Sequence, residues 1–214
     1  MNIIILGVPG SGKGTQSKIL EKKFNLKQLS TGEMLRNEVT SGSELGNRVR
    51  KRIHSGRLVS DEIIINIISK RLDEKKMSKG VIFDGFPRTV PQAEALTDLL
   101  VEKSLFIDYV FELIVDDDSI IERVIGRYSC KECGIGYHEK FEKPKLEGTC
   151  DKCGNHDFVR RNDDTEDTVR DRLKQYHHQT APIIAYYSDA GLLTRVNGMT
   201  GINEVTDKFN EIIQ

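Results

Sequence analysis

A strand-like run, Ile3-Ile4-Ile5-Leu6, leads into Gly7-Val8-Pro9-Gly10-Ser11-Gly12-Lys13-Gly14-Thr15, and a helical pattern follows. Glycine tolerates positive φ and leaves room for close approach, so consecutive N–H groups in such a loop can point inward and cradle an anion. The helix start adds a partial positive charge, and Lys13 adds a full one. The stretch therefore reads as a phosphate site built from Gly10, Ser11, Gly12, Lys13, Gly14 and Thr15. It departs from the commonest pattern at one place. Gly14, not Ser or Thr, follows the lysine, which displaces the hydroxyl that usually meets Mg²⁺ to Thr15.

A second constellation is sulfur. All four cysteines lie in Cys130-Lys131-Glu132-Cys133 and Cys150-Asp151-Lys152-Cys153, a C-x₂-C-x₁₆-C-x₂-C spacing. That spacing is typical of structural zinc, where four thiolates close a tetrahedral shell and leave no position open for catalysis. Disulfides are disfavoured in a reducing cytosol, which leaves redox-active or free thiol pairs as the competing readings. The surrounding stretch 128–162 holds the two Cys pairs, five Gly or Pro and only seven other apolar residues. That is too little to form a core unaided. It reads as a small inserted unit in which metal-binding energy is also folding energy.

The third constellation is ionic. Asp84 ends the apolar run Val81-Ile82-Phe83, where a carboxylate can reach Mg²⁺ through water; the plainer alternative is that it caps a turn. Arg36, Arg88, Arg123, Arg127, Arg161 and Arg172 offer permanent charge and a fork that grips phosphate oxygens in pairs. Any one of them, taken alone, would be a solvated surface residue. Arg123 and Arg127 are spaced i,i+4, which predicts both on one helical face.

Elements able to position these groups follow from the hydrophobic rhythm. Strands are expected at 2–6, 27–29, 80–84, 108–115 and 192–196, with helices beginning after Gly12, Thr31, Ser43, Ser60, Thr89, Asp116, Asp164 and Gly201. Strands rich in Val, Ile and Phe that alternate with helices predict an α/β fold with a parallel sheet covered on both faces. Ser43 and Ser60 suit N-caps and Gly56 a helix stop, while Pro182 should break the long helical pattern over 165–189.

The chain has 214 residues, the length of one domain or of one carrying an insertion. Its 32 Lys+Arg against 33 Asp+Glu argue against a body-wide surface for nucleic acid. No apolar run approaches the roughly 20 residues of a membrane span, and Met1-Asn2 lacks the basic segment of a signal peptide. A cytoplasmic chain without a membrane or nucleic-acid partner is expected.

Further segments stand in order along the chain: Ser30-Thr31-Gly32-Glu33-Met34-Leu35-Arg36, Gly56-Arg57-Leu58-Val59, and Asp84-Gly85-Phe86-Pro87-Arg88-Thr89 with Gln92. Arg123-Val124-Ile125-Gly126-Arg127, Gly136-Tyr137-His138 and Arg161-Asn162-Asp163-Asp164 through Arg172 follow. With the phosphate loop, they make the chain resemble the nucleoside monophosphate kinases, and among them the adenylate kinases with a zinc-bearing lid.

The resemblance implies a three-layer P-loop fold with a central parallel sheet. Its core would comprise 1–29, 60–125 and 164–214, with an AMP-binding arm at 30–59 and a lid with a Cys₄ zinc site at 126–163. It implies reversible, Mg²⁺-dependent phosphoryl transfer from ATP to AMP giving two ADP, maintaining adenine nucleotide balance, in a protein expected to be a monomer. The implied catalytic set is Lys13, Asp84, Arg88, Arg127, Arg161 and Arg172. The implied ATP site joins the phosphate loop to Arg123, Arg127, Gly136, Tyr137 and Thr200, the last three covering adenine mainly with backbone and one of the two arginines stacked on it. The implied AMP site is Thr31, Arg36, Arg57, Leu58, Val59, Gly85, Phe86, Pro87, Arg88, Gln92, Arg161 and Arg172. The Gln92 amide can donate to one adenine nitrogen and accept from the exocyclic amine. Such a reaction needs positioning and charge stabilisation rather than a general base.

Two other functions compete. One is a kinase of the same kind with a different acceptor, which Thr31 and Gln92 disfavour. The other, remoter, is a zinc-ribbon nucleic-acid-binding module on a P-loop ATPase. Cationic and acidic residues nearly balance within 128–162, a poor footprint for a phosphate backbone.

Overall fold

The computed structural model describes residues 1–55, 57–77 and 79–213. The chain begins β1 (Ile3–Leu6), α1 (Lys13–Phe24), β2 (Lys27–Ser30), α2 (Thr31–Ser41), α3 (Glu44–His54) and α4 (Asp61–Leu72). It continues β3 (Val81–Asp84), α5 (Val90–Glu102), β4 (Tyr109–Ile114), α6 (Asp117–Ile125), β5 (Arg127–Cys130), β6 (Gly136–His138) and β7 (Phe158–Val159). It ends α7 (Glu166–Gln175), α8 (Pro182–Asp189), β8 (Leu193–Asn197) and α9 (Ile202–Ile212).

Five strands form one parallel sheet in the order β2-β3-β1-β4-β8. Alternate residues of β1 enter opposite layers, as the strand period of two requires. Ile4 packs with Phe83, Val110, Ile68 and Leu96 beneath α4, α5 and α8. Ile3 and Ile5 pack with Ile82, Phe111, Leu20 and Phe209 beneath α1 and α9. Ile3, Ile4 and Ile5 are fully buried, which explains why the strand carries no polar alternation. The α/β fold with a central parallel sheet is thus the one expected.

Chain order reverses on either side of β1, and ligands of such sheets bind at the carboxyl ends of the strands there. The register carries Ser30 of β2, Asp84 of β3 and Ile5 of β1 into one row. The loop after β1 therefore opens beside Asp84.

Helix starts follow local chemistry, with corrections. Ser43, Thr89 and Asp116 cap α3, α5 and α6 by accepting from Gly46, Gln92 and Ser119 N–H groups. Ser60 precedes α4 but makes no side-chain cap, and α2 begins at Thr31 itself. Helix α7 begins after Thr165, not after Asp164; Asp164 is occupied by Arg127, so the neighbouring hydroxyl caps instead. The expected helix stop at Gly56 lies outside the described residues. Pro182 breaks the long pattern as expected: α7 stops at Gln175, a π-helical turn spans Tyr176–Thr180, and α8 starts at the proline, which has no N–H to donate.

One expectation fails outright. Arg123 and Arg127 do not share a helical face, because α6 stops at Ile125, Gly126 caps it, and Arg127 opens β5.

The cysteine-bearing stretch is a small antiparallel sheet, β6-β5-β7. Its core is Cys130, Tyr137 and Cys150, with Tyr128, Ile135 and Phe158 around them. Helices α2 and α3 form a hairpin that closes on Gly46, where a Cβ would stand 2.0 Å from the Glu38 carbonyl oxygen. No helix among the described residues is long and apolar enough to cross a membrane.

The hairpin yields a test. Alanine favours helix over glycine by about 1 kcal/mol, yet Gly46→Ala should lower stability by about 1–3 kcal/mol through overpacking against α2. Urea unfolding measures this, and a stabilised variant would contradict the packing.

Candidate active site

Gly7, Gly10 and Gly12 take φ of 143°, 87° and 97°, values that curl the loop after β1 into a nest of N–H groups. At Gly10 the close approach is to α6, where a Cβ would meet Val124 Cγ2 at 2.5 Å. Lys13 folds back across the nest and donates to the Gly7 and Val8 carbonyls, each at 2.8 Å. Burial pulls its pKa down to about 8; Asp84 opposes this, while Arg88 and Arg127 add to it. Ser11 is buried beside the lysine, and Thr15 is exposed in the first turn of α1. Gly14 sits so near Asp84 that a Cβ would lie 3.5 Å from its Oδ2. Asp84 is fixed in turn by Gln28, whose Nε2 donates to Oδ2 at 2.8 Å.

A cleft opens on the other side of Asp84. Thr31, Leu58, Val59, Gly85, Phe86, Arg88 and Gln92 line it together, with Leu35 and Ile64 completing the apolar wall. Gly85, at φ 70°, turns its carbonyl to accept from Thr31 Oγ1 at 3.1 Å and Arg88 Nε at 2.7 Å. The Phe86-Pro87 peptide is cis. Gln92 is buried; its Oε1 accepts from the Arg88 N–H at 2.7 Å and its Nε2 donates to Asp61 at 2.6 Å. One amide N–H and one oxygen lone pair therefore remain for a ligand. Thr180, from the π-helical turn, donates to the Arg88 carbonyl at 2.9 Å. Arg36 folds back over Gly32, where a Cβ would lie 3.3 Å from its Nη1. Arg57 is exposed at the edge.

Between loop and cleft the arginines gather. Arg127 makes a bidentate pair with Asp164, and Arg172 pairs with Asp163. Burial, followed by repulsion from Arg172 and Arg36 against the pull of Asp84, brings Arg88 down to about 10. Arg36 is lowered by burial and by Arg127 and Arg172, with Asp163 resisting. Arg161 is exposed; partial desolvation, then repulsion from Arg127 and Arg36 against the pull of Asp164 and Asp163, brings it to about 10. Burial alone would raise Asp163; hydrogen bonding to Arg172 and the charges of Arg172 and Arg36 outweigh it and hold it below the usual carboxylate range.

Arg123 lies apart from this group, donating to the Gly198 carbonyl at 3.0 Å. That contact brings it beside the loop carrying Thr200, which is exposed and donates to the Asn197 carbonyl. Tyr137 faces away from any ligand: its hydroxyl accepts from the Asp151 N–H at 2.8 Å and lies 3.6 Å from Cys150 Sγ. Only backbone at Gly136 and Tyr137 is on offer there.

The four sulfurs lie within 4.8 Å of one another, with Cys130–Cys153 at 3.6 Å and Cys133–Cys150 at 3.5 Å. A tetrahedral ion with metal–sulfur bonds of about 2.3 Å sets its sulfurs about 3.8 Å apart, so the cluster can hold one. Burial alone would raise the Cys150 thiol; the Tyr137 hydroxyl and the Cys153 and Lys152 N–H groups outweigh it and bring it to about 6. A thiolate there is ready to ligate. His156 is turned to the Gly148 carbonyl and adds no fifth ligand.

Several contributors escaped the sequence reading. Gln28 and Asp61 act through side chains distant in sequence, and nothing in their local pattern marks them. Asp163 and Asp164 had a signal, as two carboxylates in a segment otherwise rich in clamp-like arginines.

Comparison with known proteins agrees with this geometry. The adenylate kinase family model matches residues 5–192. The chain is 51% identical over 213 residues to an adenylate kinase of Paramagnetospirillum magneticum, covering all of this chain and 98% of that protein. It is 49% identical to one from Novosphingobium aromaticivorans, covering all of this chain and 99% of the relative, and 46% identical to one from Methanothrix thermoacetophila, covering 98%. Phosphate nest, lined cleft, arginine cluster and full-length likeness together mean that the chain belongs to the adenylate kinase family.

Proposed function

We propose that the chain transfers a phosphoryl group reversibly from ATP to AMP, yielding two ADP and so balancing the adenine nucleotides. The observation that carries this reading is the shared wall at Asp84-Gly85: the phosphate nest opens on one side and the cleft lined by Thr31, Arg88 and Gln92 on the other.

In this reading Gly10, Ser11, Gly12, Gly14 and Thr15 cradle the donor phosphates, and Lys13 exchanges the loop carbonyls for phosphate oxygens. Arg123, with backbone at Gly136, Tyr137 and Thr200, holds the donor base. Asp84, oriented by Gln28, is the carboxylate that would hold the Mg²⁺ of the nucleotide complex, which would supply neutralisation of phosphate charge. Thr31, Leu58, Val59, Gly85, Phe86, Pro87 and Gln92 hold the AMP base, with Arg57 contributing at the edge. Arg36 and Arg88 hold its α-phosphate. Arg127, Arg161 and Arg172 gather on the transferring group, where charge must be met by fixed cations. The attacking AMP oxygen is already ionised, so no base is required.

The proposal divides the chain into a core (1–29, 60–125 and 164–214), an AMP-binding arm (30–59) and a lid (126–163). Closure of the lid excludes water, a competing acceptor, while delivering the arginines. Zinc in the cysteine cluster supplies the lid with the rigidity its few apolar residues cannot. We take the protein to be a cytoplasmic monomer without nucleic-acid or membrane partners; charge balance and thiols fit for metal support that setting.

Phosphate transfer from ATP to a panel of AMP, GMP, CMP and UMP should favour AMP by at least about tenfold, the scale set by one mismatched buried amide. Equal use of a second monophosphate would contradict the acceptor assignment. Arg161→Ala should lower kcat about 100-fold with little change in Tm. Cys150→Ser should lower Tm by about 10 °C or more and release zinc, yet keep most of kcat where it stays folded. Equal losses of both properties in both variants would refute this division of labour.

A further inference from the structure

His138 is a buried residue of the lid, 7% exposed, and both of its ring nitrogens are engaged. Nδ1 accepts from the Lys140 and Phe141 N–H groups at 3.0 and 3.2 Å. Two donors on Nδ1 require the hydrogen to sit on Nε2, which donates to the Glu122 carbonyl at 3.1 Å. That carbonyl belongs to the last turn of α6 and also accepts from the Gly126 N–H at 3.1 Å, so the ring takes its second lone pair right at the joint between α6 and β5. The imidazole thus adds, from a different segment of chain, a second donor to the carbonyl that the Gly126 N–H already meets, and locks the end of α6 from outside the helix.

The surroundings are built around this contact. A Cβ at Gly126, the residue between α6 and β5, would stand 2.4 Å from His138 Nε2. Gly126 has an ordinary φ of −78°, so space for the ring, not backbone freedom, calls for glycine there. Phe141 stacks on the other side of the ring, with centroids 4.4 Å apart. Arg160 donates to the Ile125 carbonyl at 3.0 Å and the Glu139 N–H donates to Gly126 at 3.0 Å, so the lid grips the whole end of α6. Directly across the β5–β6 pair from His138 is Arg127.

We propose that His138 is a positioning residue for Arg127: by capping α6 it fixes the direction in which β5 leaves that helix, and so where the Arg127 guanidinium meets the donor phosphates. The inference rests on the reading of Arg127 as a donor-phosphate ligand. Such ligands must be held to about 0.5 Å, and a 1 Å misplacement is enough to cost about 100-fold in rate. Without the cap, the Gly126 joint has no side chain of its own to define its angle. His138 is not needed by the metal, since four thiolates complete a tetrahedral shell.

The test compares four variants of the zinc-loaded, full-length protein, reading KM for ATP and AMP separately, kcat, zinc content and Tm. His138→Asn keeps an acceptor near Nδ1 but cannot reach Glu122; His138→Gln carries an N–H to the Nε2 position. Gly126→Ala displaces the ring without straining the backbone, and Arg127→Gln removes the ligand itself. Expected for His138→Asn and Gly126→Ala is a rise of about tenfold in KM for ATP, with KM for AMP within about twofold and zinc retained; His138→Gln should recover most of the loss. An unchanged KM for ATP in His138→Asn while Arg127→Gln raises it overturns the inference and leaves the donor site standing. Equal behaviour of the Asn and Gln variants also overturns it, because a merely space-filling ring would not distinguish them. If Arg127→Gln leaves KM for ATP unchanged, both readings fall. Should His138→Asn lose zinc or unfold, Gly126→Ala decides by the same criterion.

Discussion

Lys13, Arg36, Arg88, Arg127, Arg161 and Arg172 gather about a single cleft, and Arg36, Arg88, Arg127 and Arg172 each lower the pKa of a cationic neighbour. Asp84, Asp163 and Asp164, with Glu33 beside Arg36, stand among them to compensate. Like charges held this near in a sheltered site repel, and only a polyanion brings the missing negative charge. The rest of the fold can be understood as the means of holding those cations where they would not stay unaided.

Each is held differently. Lys13 is tethered by two carbonyls of its own loop, an arrangement open only to a backbone that glycine allows to curl. Arg88 is fixed through both its Nε and its main chain, by Gly85, Gln92 and Thr180, which come from three separate elements. Arg127 and Arg172 are braced by adjacent carboxylates, Asp164 and Asp163, at the point where the chain returns from the cysteine-bearing sheet. Helix α6 lies at the junction: its Val124 packs against Gly10 of the phosphate nest, while its last carbonyls are gripped by His138 and Arg160. One short helix thereby links the position of the nest to the position of the arginines opposite it.

Legibility in the sequence tracks the range of the interactions involved. Strands β1 and β3 could be read to within a residue because burial on both faces leaves an uninterrupted apolar run. The phosphate nest could be read because its glycines are a local backbone requirement, and the metal cluster because ligand spacing is local too. Arg127 was expected on the helix because Gly126 ends α6 for a long-range reason, the His138 ring, that no local pattern discloses. The Tyr137 hydroxyl meets Asp151 and Cys150, which is compatible with the backbone role expected of that residue. Gln28 and Asp61 went unnoticed since their partners lie 56 and 31 residues away.

The central claim is that nucleotide phosphates complete a cationic site in which burial, with Arg88 and Arg127 adding to it, lowers the pKa of Lys13. Calorimetric titration of the protein with Mg-ATP at pH 8.5, in buffers of different ionisation enthalpy, measures the protons exchanged on binding. With the Lys13 pKa lowered to about 8, part of the protein carries it neutral at that pH. Bound phosphates raise that pKa, so binding at pH 8.5 should take up a fraction of a proton per nucleotide, and the uptake should fall away toward pH 7, where the amine is already charged. The nucleotide phosphates are fully ionised at pH 8.5 and contribute nothing to that uptake. Proton release, or no exchange at pH 8.5, would contradict the account.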